Sequence, residues 1–141
     1  MPLPRPEPGL VVRYDYLWLA ESGAARVSGK ERPACLVATL DDLADPRLVL
    51  ILPITHSPPR SGTVGVEIPH PVGRKLGLDD ARSWIVISEA NVDFWPNAGL
   101  VPVPGRRGAF AYGFLPPALF ETVRIRFLKL LEQRRARLVR R

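Results

Sequence analysis

Two short polar segments border the apolar runs in the first half of the chain. One apolar run opens on Arg32, and the next closes on Thr55, His56 and Ser57. If the two runs are antiparallel neighbours in a sheet, the start of one lies beside the end of the other, and Arg32 meets Thr55 at one rim. Arginine holds a phosphate through two parallel hydrogen bonds, and histidine moves protons near neutral pH. These residue types at this spacing are typical of phosphate chemistry.

The same residues also allow a structural interpretation, which stays open at this stage. Arg32 would pair with Glu31 or Asp15, and Thr55 would cap a loop. The single cysteine, Cys35, lies within an apolar run. A lone cysteine in such a run is more typical of an inert core position than of a nucleophile.

Several common catalytic motifs are missing from the sequence. It contains no Gly-rich phosphate loop of the GxxxxGK[ST] kind, no HExxH and no CxxC, and its two histidines, His56 and His70, lie in separate proline-rich loops. Metal-ligand spacing is therefore missing. We expect neither a metal nor a cofactor.

The apolar pattern predicts a mostly β domain. Sixteen prolines among 141 residues exclude long helices wherever they recur, because proline lacks an amide donor and fixes φ. Predicted strands and extended segments span residues 9–19, 32–40, 47–55, 63–68, 82–92, 100–103 and 109–112, with loops or turns over 21–30 and 41–46 and a helical turn within 69–80. Two of these strands are apolar throughout and should be buried on both faces, and Pro53 indicates a bulge or a sheet edge. Five or six short strands with one closing helix predict a small curved barrel.

The closing helix is predicted to begin at Pro116, because proline is favoured in a first helical turn. Six apolar residues share one side of this helix and should pack on the barrel: Leu119, Phe120, Val123, Phe127, Leu130 and Leu131. Arg134 falls on the same side, so the buried part should end before it and residues 134–141 should fray. Ile125 and Leu128 lie off the apolar side.

Charge and length define the expected domain organisation. The net charge is +6, and residues 121–141 hold eight Lys or Arg and two Glu, so the excess charge belongs to the C-terminal end. We predict a flexible proline-rich arm over 1–8, one domain over 9–133 and a basic tail over 134–141. A single cysteine fits a reducing compartment, and the sequence has neither a long apolar run nor a signal-like core. A cytoplasmic protein without a membrane span is expected.

Four segments, in their order and spacing, resemble a known family. They are Pro8-Gly9-Leu10-Val11-Val12, the Lys30–Val37 segment KERPACLV, the Leu50–Thr55 segment LILPIT, and the Ser83–Asn91 segment SWIVISEAN. Together with the C-terminal helix they are similar to the MazF/PemK toxins of bacterial type II toxin–antitoxin systems. The resemblance covers most of residues 8–133.

The resemblance implies a fold, an activity and partners. The fold would be a small SH3-like barrel of the MazF/PemK–CcdB type with a C-terminal helix, assembled as a homodimer and neutralised by a cognate antitoxin. The activity would be metal-independent cleavage of single-stranded RNA, leaving a 2′,3′-cyclic phosphate and a 5′-OH. The catalytic arginine and threonine of the family fall on Arg32 and Thr55. A role of His56 in proton transfer is inferred from its chemistry and not from the resemblance.

An RNA groove would be lined by residues that stack on bases or contact phosphates. The candidates are Tyr14, Trp18, Lys30, Ser57, Arg60, Glu89, Asn91 and Trp95. For each aromatic residue, the barrel core is the alternative location. The alternative function is a non-catalytic barrel that binds a protein target or RNA without cleaving it, and a housekeeping domain with a degenerate site is a third interpretation.

Overall fold

The computed structural model describes residues 3–22, 30–39, 48–96 and 99–141. Its strands are β1 (Leu10–Tyr16), β2 (Lys30–Thr39), β3 (Leu48–Thr55), β4 (Gly65–Glu67), β5 (Trp84–Val86), β6 (Glu89–Phe94), β7 (Ala111–Phe114) and β8 (Arg137–Arg140). Its helices are α1 (Leu19–Ser22), α2 (His70–Leu76) and α3 (Pro117–Glu132). The fold is therefore mostly β with a C-terminal helix, as predicted.

Two predicted connections fall wholly or largely outside these residues. The predicted turn over 41–46 lies outside the described part of the chain, as do residues 23–29 of the predicted loop over 21–30.

All eight described strands belong to one sheet, in which β3 is the central strand. The order along the sheet is β4-β5-β3-β2-β1-β7, and β6 pairs with both β3 and β8. Every pairing is antiparallel except that of β6 with β8. Among the described residues no ladder joins β7 to β4, so the hydrogen bonding leaves the sheet open.

One predicted strand is in fact two. The apolar segment over 82–92 divides into β5 and β6, which pair with different halves of the same side of β3. The ladder with β6 ends at the pair Ile51↔Asn91, and the ladder with β5 begins at Ile54↔Ile85. In the described part of the chain, Leu52 and Pro53 therefore have no strand partner on that side of β3. A proline without an amide donor is tolerated at this gap inside a central strand.

The two faces of the sheet carry separate apolar clusters. Even-numbered residues of β3, such as Leu52, belong to the cluster covered by α3, whose Val123 and Phe127 are fully buried. Odd-numbered residues, such as Ile51, join the second cluster with the alternating side chains of β1, among them Tyr14. The predicted strand alternation and helix stripe are thus confirmed.

Cys35 is a core residue, as its apolar setting predicted. Its side chain is fully buried, and burial raises the pKa of the thiol to about 12. A thiol with this pKa is not a nucleophile near neutral pH.

The C-terminal residues are not the frayed tail that the sequence led us to expect. Helix α3 ends where Arg134 adopts a positive φ of 57° and Arg135 N donates to Leu130 O at 2.7 Å. The chain then enters β8, which pairs in parallel with β6 and buries Val139. Arg141 Nη2 lies 2.8 Å from Asp15 Oδ2, with both side chains largely buried. Ladder hydrogen bonds and this ion pair hold a segment that its charge alone would leave in solvent.

The N-terminal arm contacts the domain through Trp95. The Trp95 indole Nε1 donates to Pro4 O at 3.1 Å, and the Trp95 side chain is 9% exposed. Trp95 therefore packs in the core and is not available as an RNA-stacking residue, contrary to the prediction. Among the described residues, no helix has the length and apolar character needed to cross a membrane.

Candidate functional site

Arg32 and Thr55 come together at the rim where β2 begins and β3 ends. The antiparallel register pairs Ala34 with Pro53. Continued by two residues on each strand, the same register places Arg32 opposite Thr55. Both side chains line one open cleft of about 470 Å³. The juxtaposition expected from strand order is thus observed.

The cleft is positively charged and partly aromatic. Its lining comprises Trp18, Arg32, Thr55, Ser57, Pro58, Pro59, Arg60, Thr63 and Val86. Two of these side chains are arginines, and none is acidic, so the cleft favours an anion. The two prolines, Thr63 and Val86 were not anticipated, although the Pro58-Pro59 pair lies within the loop that carries Ser57 and Arg60.

Arg32 is oriented by an aromatic platform. Its guanidinium carbon lies 5.0 Å from the centroid of the Trp18 ring. The Trp18 ring meets Tyr16 edge-on, at a centroid separation of 5.1 Å and an interplanar angle of 68°. A cation held over an indole is fixed in orientation by the attraction of the ring face.

Trp18 is held in turn by two residues of β6. Asn91 Oδ1 accepts from Leu17 N at 2.9 Å, and Asn91 Nδ2 donates to Leu17 O at 2.7 Å. Glu89 Oε1 accepts from Leu19 N at 3.0 Å. The backbone on both sides of Trp18 is therefore clamped to β6.

This clamp corrects the prediction for Asn91, and it gives Glu89 a defined structural partner. Asn91 is fully buried, so it cannot contact RNA. Glu89 is only partly buried, and its Oε1 also accepts from the Tyr16 hydroxyl at 3.0 Å. Burial and the Glu89 carboxylate raise the pKa of Tyr16, so the phenol stays protonated.

Tyr14 is also a core residue rather than the predicted RNA-stacking group. Its side chain is fully buried, and its hydroxyl donates to Asp93 Oδ2 at 2.6 Å. Burial and the Asp93 carboxylate raise the pKa of Tyr14. Tyr14 lies four residues before Trp18 in the chain, within β1.

Thr55 is positioned as a hydrogen-bond donor to a ligand. Ser57 N donates to Thr55 Oγ1 at 3.2 Å, which uses one lone pair of the hydroxyl and leaves its proton available. Ser57 and Arg60 line the same cleft. Lys30 is exposed at the start of β2 and is not part of the cleft lining.

His56 does not join this cleft, contrary to our expectation. Successive residues of a strand face opposite sides, so His56 lies on the far side of β3 from Thr55. There it lines a second cleft of about 280 Å³. Its Nε2 lies 2.9 Å from Asp79 Oδ2, and its Nδ1 lies 3.0 Å from Arg82 O and 3.3 Å from Ser83 Oγ.

The serine, histidine and aspartate at the second cleft are not arranged as a nucleophile and its base. Arg82 O can only accept a hydrogen bond, so it competes with Ser83 for Nδ1 of His56. Ser83 Oγ also donates to Ala81 O at 3.3 Å, and the Ser83 side chain is buried. This cluster fastens the segment before β5 to the end of β3.

The cleft of Arg32 and Thr55 can bind and stabilise a phosphate group, but its lining holds no side chain that titrates near neutral pH. Arginine remains protonated and is not a base. Elsewhere in the described chain, no group of three or more His, Cys, Asp or Glu side chains could hold a metal ion.

No protein-family model, curated protein or solved structure matches the chain.

Proposed function

We propose that this protein is the toxin of a type II toxin–antitoxin system of the MazF/PemK type, acting as a metal-independent endoribonuclease on single-stranded RNA. The observation that carries the proposal is the placement of Arg32 opposite Thr55 in one cationic cleft. The four sequence segments that resemble the family lie on β1, β2, β3 and on β5 with β6, the strands that build this cleft and its support.

The reaction in this cleft is attack of a ribose 2′-oxygen on the adjacent phosphorus. A new P–O2′ bond forms, the P–O5′ bond breaks, and the products are a 2′,3′-cyclic phosphate and a 5′-OH. Arg32 binds two phosphate oxygens and stabilises the charge that develops on them. Thr55 donates its hydroxyl proton to a phosphate oxygen, and Arg60 contacts a neighbouring phosphate. Water takes the 2′-hydroxyl proton and protonates the leaving oxygen, since the lining offers no titratable group.

The wider architecture is compatible with the same proposal. A mostly antiparallel sheet with an apolar cluster on each face and a helix over one of them is compatible with a small SH3-like barrel. In the proposed system the barrel forms a homodimer in the cytoplasm, and a cognate antitoxin blocks the cleft.

A second candidate function is favoured by one feature of the cleft. Its lining provides two cations and hydroxyl groups but no general base, which suits binding of RNA without cleavage. In this second candidate function the same cleft binds the same RNA, but the RNA is not cleaved.

Cleavage of a long single-stranded RNA in EDTA, with analysis of the product ends, separates the two. The proposal expects cyclic phosphate and 5′-OH ends from the wild type, and loss of at least a hundredfold in rate for Arg32→Ala and for Arg32→Lys, because lysine cannot bind bidentately. Arg107→Ala, at an exposed arginine that is not part of the cleft lining, is the matched control.

Each outcome decides between the candidates. Intact RNA together with tight binding that depends on Arg32 supports the binding module. Products that are unchanged in Arg32→Ala come from a contaminant and overturn the enzymatic proposal. Growth arrest on expression that survives both Arg32→Ala and Thr55→Ala indicates a protein target instead.

A further inference from the structure

The C-terminal end of the chain forms a second cationic surface. Arg126, Lys129 and Arg135 line a groove of about 340 Å³, together with Val64, Ile87, Leu130 and Gln133. The three cationic side chains are exposed, and the lining contains no acidic residue. We call this surface the basic groove.

Other arginines of the same segment are already used in ion pairs. Arg124 pairs with Glu121 three residues earlier on α3, and Arg141 pairs with Asp15. The net charge of the C-terminal end is therefore not spread evenly over its surface. Three of its cations line the basic groove: Arg126 and Lys129 on α3, and Arg135 just beyond it.

The basic groove and the Arg32 cleft share one wall. Thr63 and Val86 line the cleft, while their chain neighbours Val64 and Ile87 line the groove. Ile87 N donates to Val64 O at 2.8 Å, which joins the two segments into one layer. Because successive residues of an extended chain face opposite sides, the cleft and the groove lie back to back across this layer.

This layer ends in a short strand. β4 is the last strand in the sheet order, and it has only three residues. A flexible single strand that crosses the end of the sheet at β4 has one part in the cleft and the next part in the groove.

We propose that the basic groove binds the phosphates of the RNA strand that flank the nucleotide held by Arg32 and Thr55. This inference rests on the proposed function and extends it from one phosphate to a run of several nucleotides. The groove presents separate cations, and not a closed pocket, so it recognises successive charges of a polyanion. Its lining contains no aromatic side chain on which a base could stack, and its cations contact phosphates, which carry no sequence information.

The test compares two RNA lengths and two triple variants. The probes are a trinucleotide and a dodecanucleotide with a 2′-deoxy residue at the reacting position, labelled for fluorescence anisotropy. One variant combines Arg126→Ala, Lys129→Ala and Arg135→Ala. The control combines Arg74→Ala, Lys75→Ala and Arg107→Ala, which removes the same charge from exposed positions on α2 and in the turn before β7.

Counterion release sets the expected size of the effect. Each phosphate contact to a single strand contributes about 0.7 to the slope of log affinity against log salt. Loss of three contacts lowers the slope by about 2 and weakens dodecanucleotide binding roughly 100-fold at about 0.1 M salt. Binding of the trinucleotide stays within a factor of about two of the wild type, because it reaches only the cleft.

If the two triple variants lose the same affinity for the dodecanucleotide, the effect is one of net charge and the inference is wrong. The inference is also wrong if the groove variant binds both RNA lengths as tightly as the wild type does. In both of these cases, if Arg32→Ala no longer binds the trinucleotide, the proposed function is still supported. A wild type that binds neither RNA overturns both. Length-dependent loss in the groove variant without any cleavage supports the groove and overturns only the enzymatic proposal.

Discussion

Asn91 offers the most direct test of how the cleft is held. Its amide makes two hydrogen bonds to the backbone of Leu17, at 2.9 and 2.7 Å, in a fully buried position. Asn91→Ala leaves a buried N–H and a buried C=O without their partner, and each such group costs about 1–3 kcal/mol. We expect the free energy of unfolding to fall by about 4 kcal/mol, and we expect the backbone around Trp18 to loosen.

Urea denaturation followed by circular dichroism measures this loss, and Glu89→Gln is the matched control. The glutamine keeps an oxygen that accepts from Leu19 N and from the Tyr16 hydroxyl, so its cost should stay below about 1 kcal/mol. A loss below about 1 kcal/mol for Asn91→Ala, with an unchanged dependence on urea, would refute the clamp. If Asn91→Ala and Glu89→Gln lower the free energy of unfolding equally, β6 is sensitive to any substitution, and the specific role of Asn91 is refuted.

Three further predictions concern His56, Arg141 and Cys35. His56→Ala should leave the RNA cleavage rate within about twofold, because the imidazole faces the second cleft; a loss as large as that of Arg32→Ala would return His56 to the mechanism. Arg141→Ala should lower the free energy of unfolding by about 2 kcal/mol, measured in urea, because it removes an ion pair and a hydrogen bond to Asp15 in a largely buried position. No change would mean that the C-terminal residues do fray. Cys35 should resist thiol reagents at pH 8 until the protein unfolds. Since its folded pKa of about 12 lies above the unfolded value, its contribution to stability is complete below about pH 8.5 and is lost as pH rises, by about 1 kcal/mol between pH 8 and pH 9.5. Cys35→Ala should abolish that slope, and a slope that persists would assign it to other groups.

The failures of sequence interpretation have a common cause. Tyr14 and Asn91 are polar or amphipathic residues on strands, and a sequence does not say whether such a residue faces solvent or a buried partner. Asn91 meets Leu17 across 74 positions of the chain. His56 is different, because the two-residue period of a strand already places it opposite to Thr55, and that signal was available.

Local pattern by itself determined the elements and the meeting of Arg32 with Thr55. Apolar periodicity marked β1, β2, β3 and α3, and the antiparallel order of two consecutive strands was enough to bring the start of one beside the end of the other. The pairing of β8 with β6, the clamp around Trp18 and the basic groove depended on the tertiary structure. Those features join segments far apart in sequence, and their hydrogen bonds and ion pairs form only after the core has fixed which segments are neighbours.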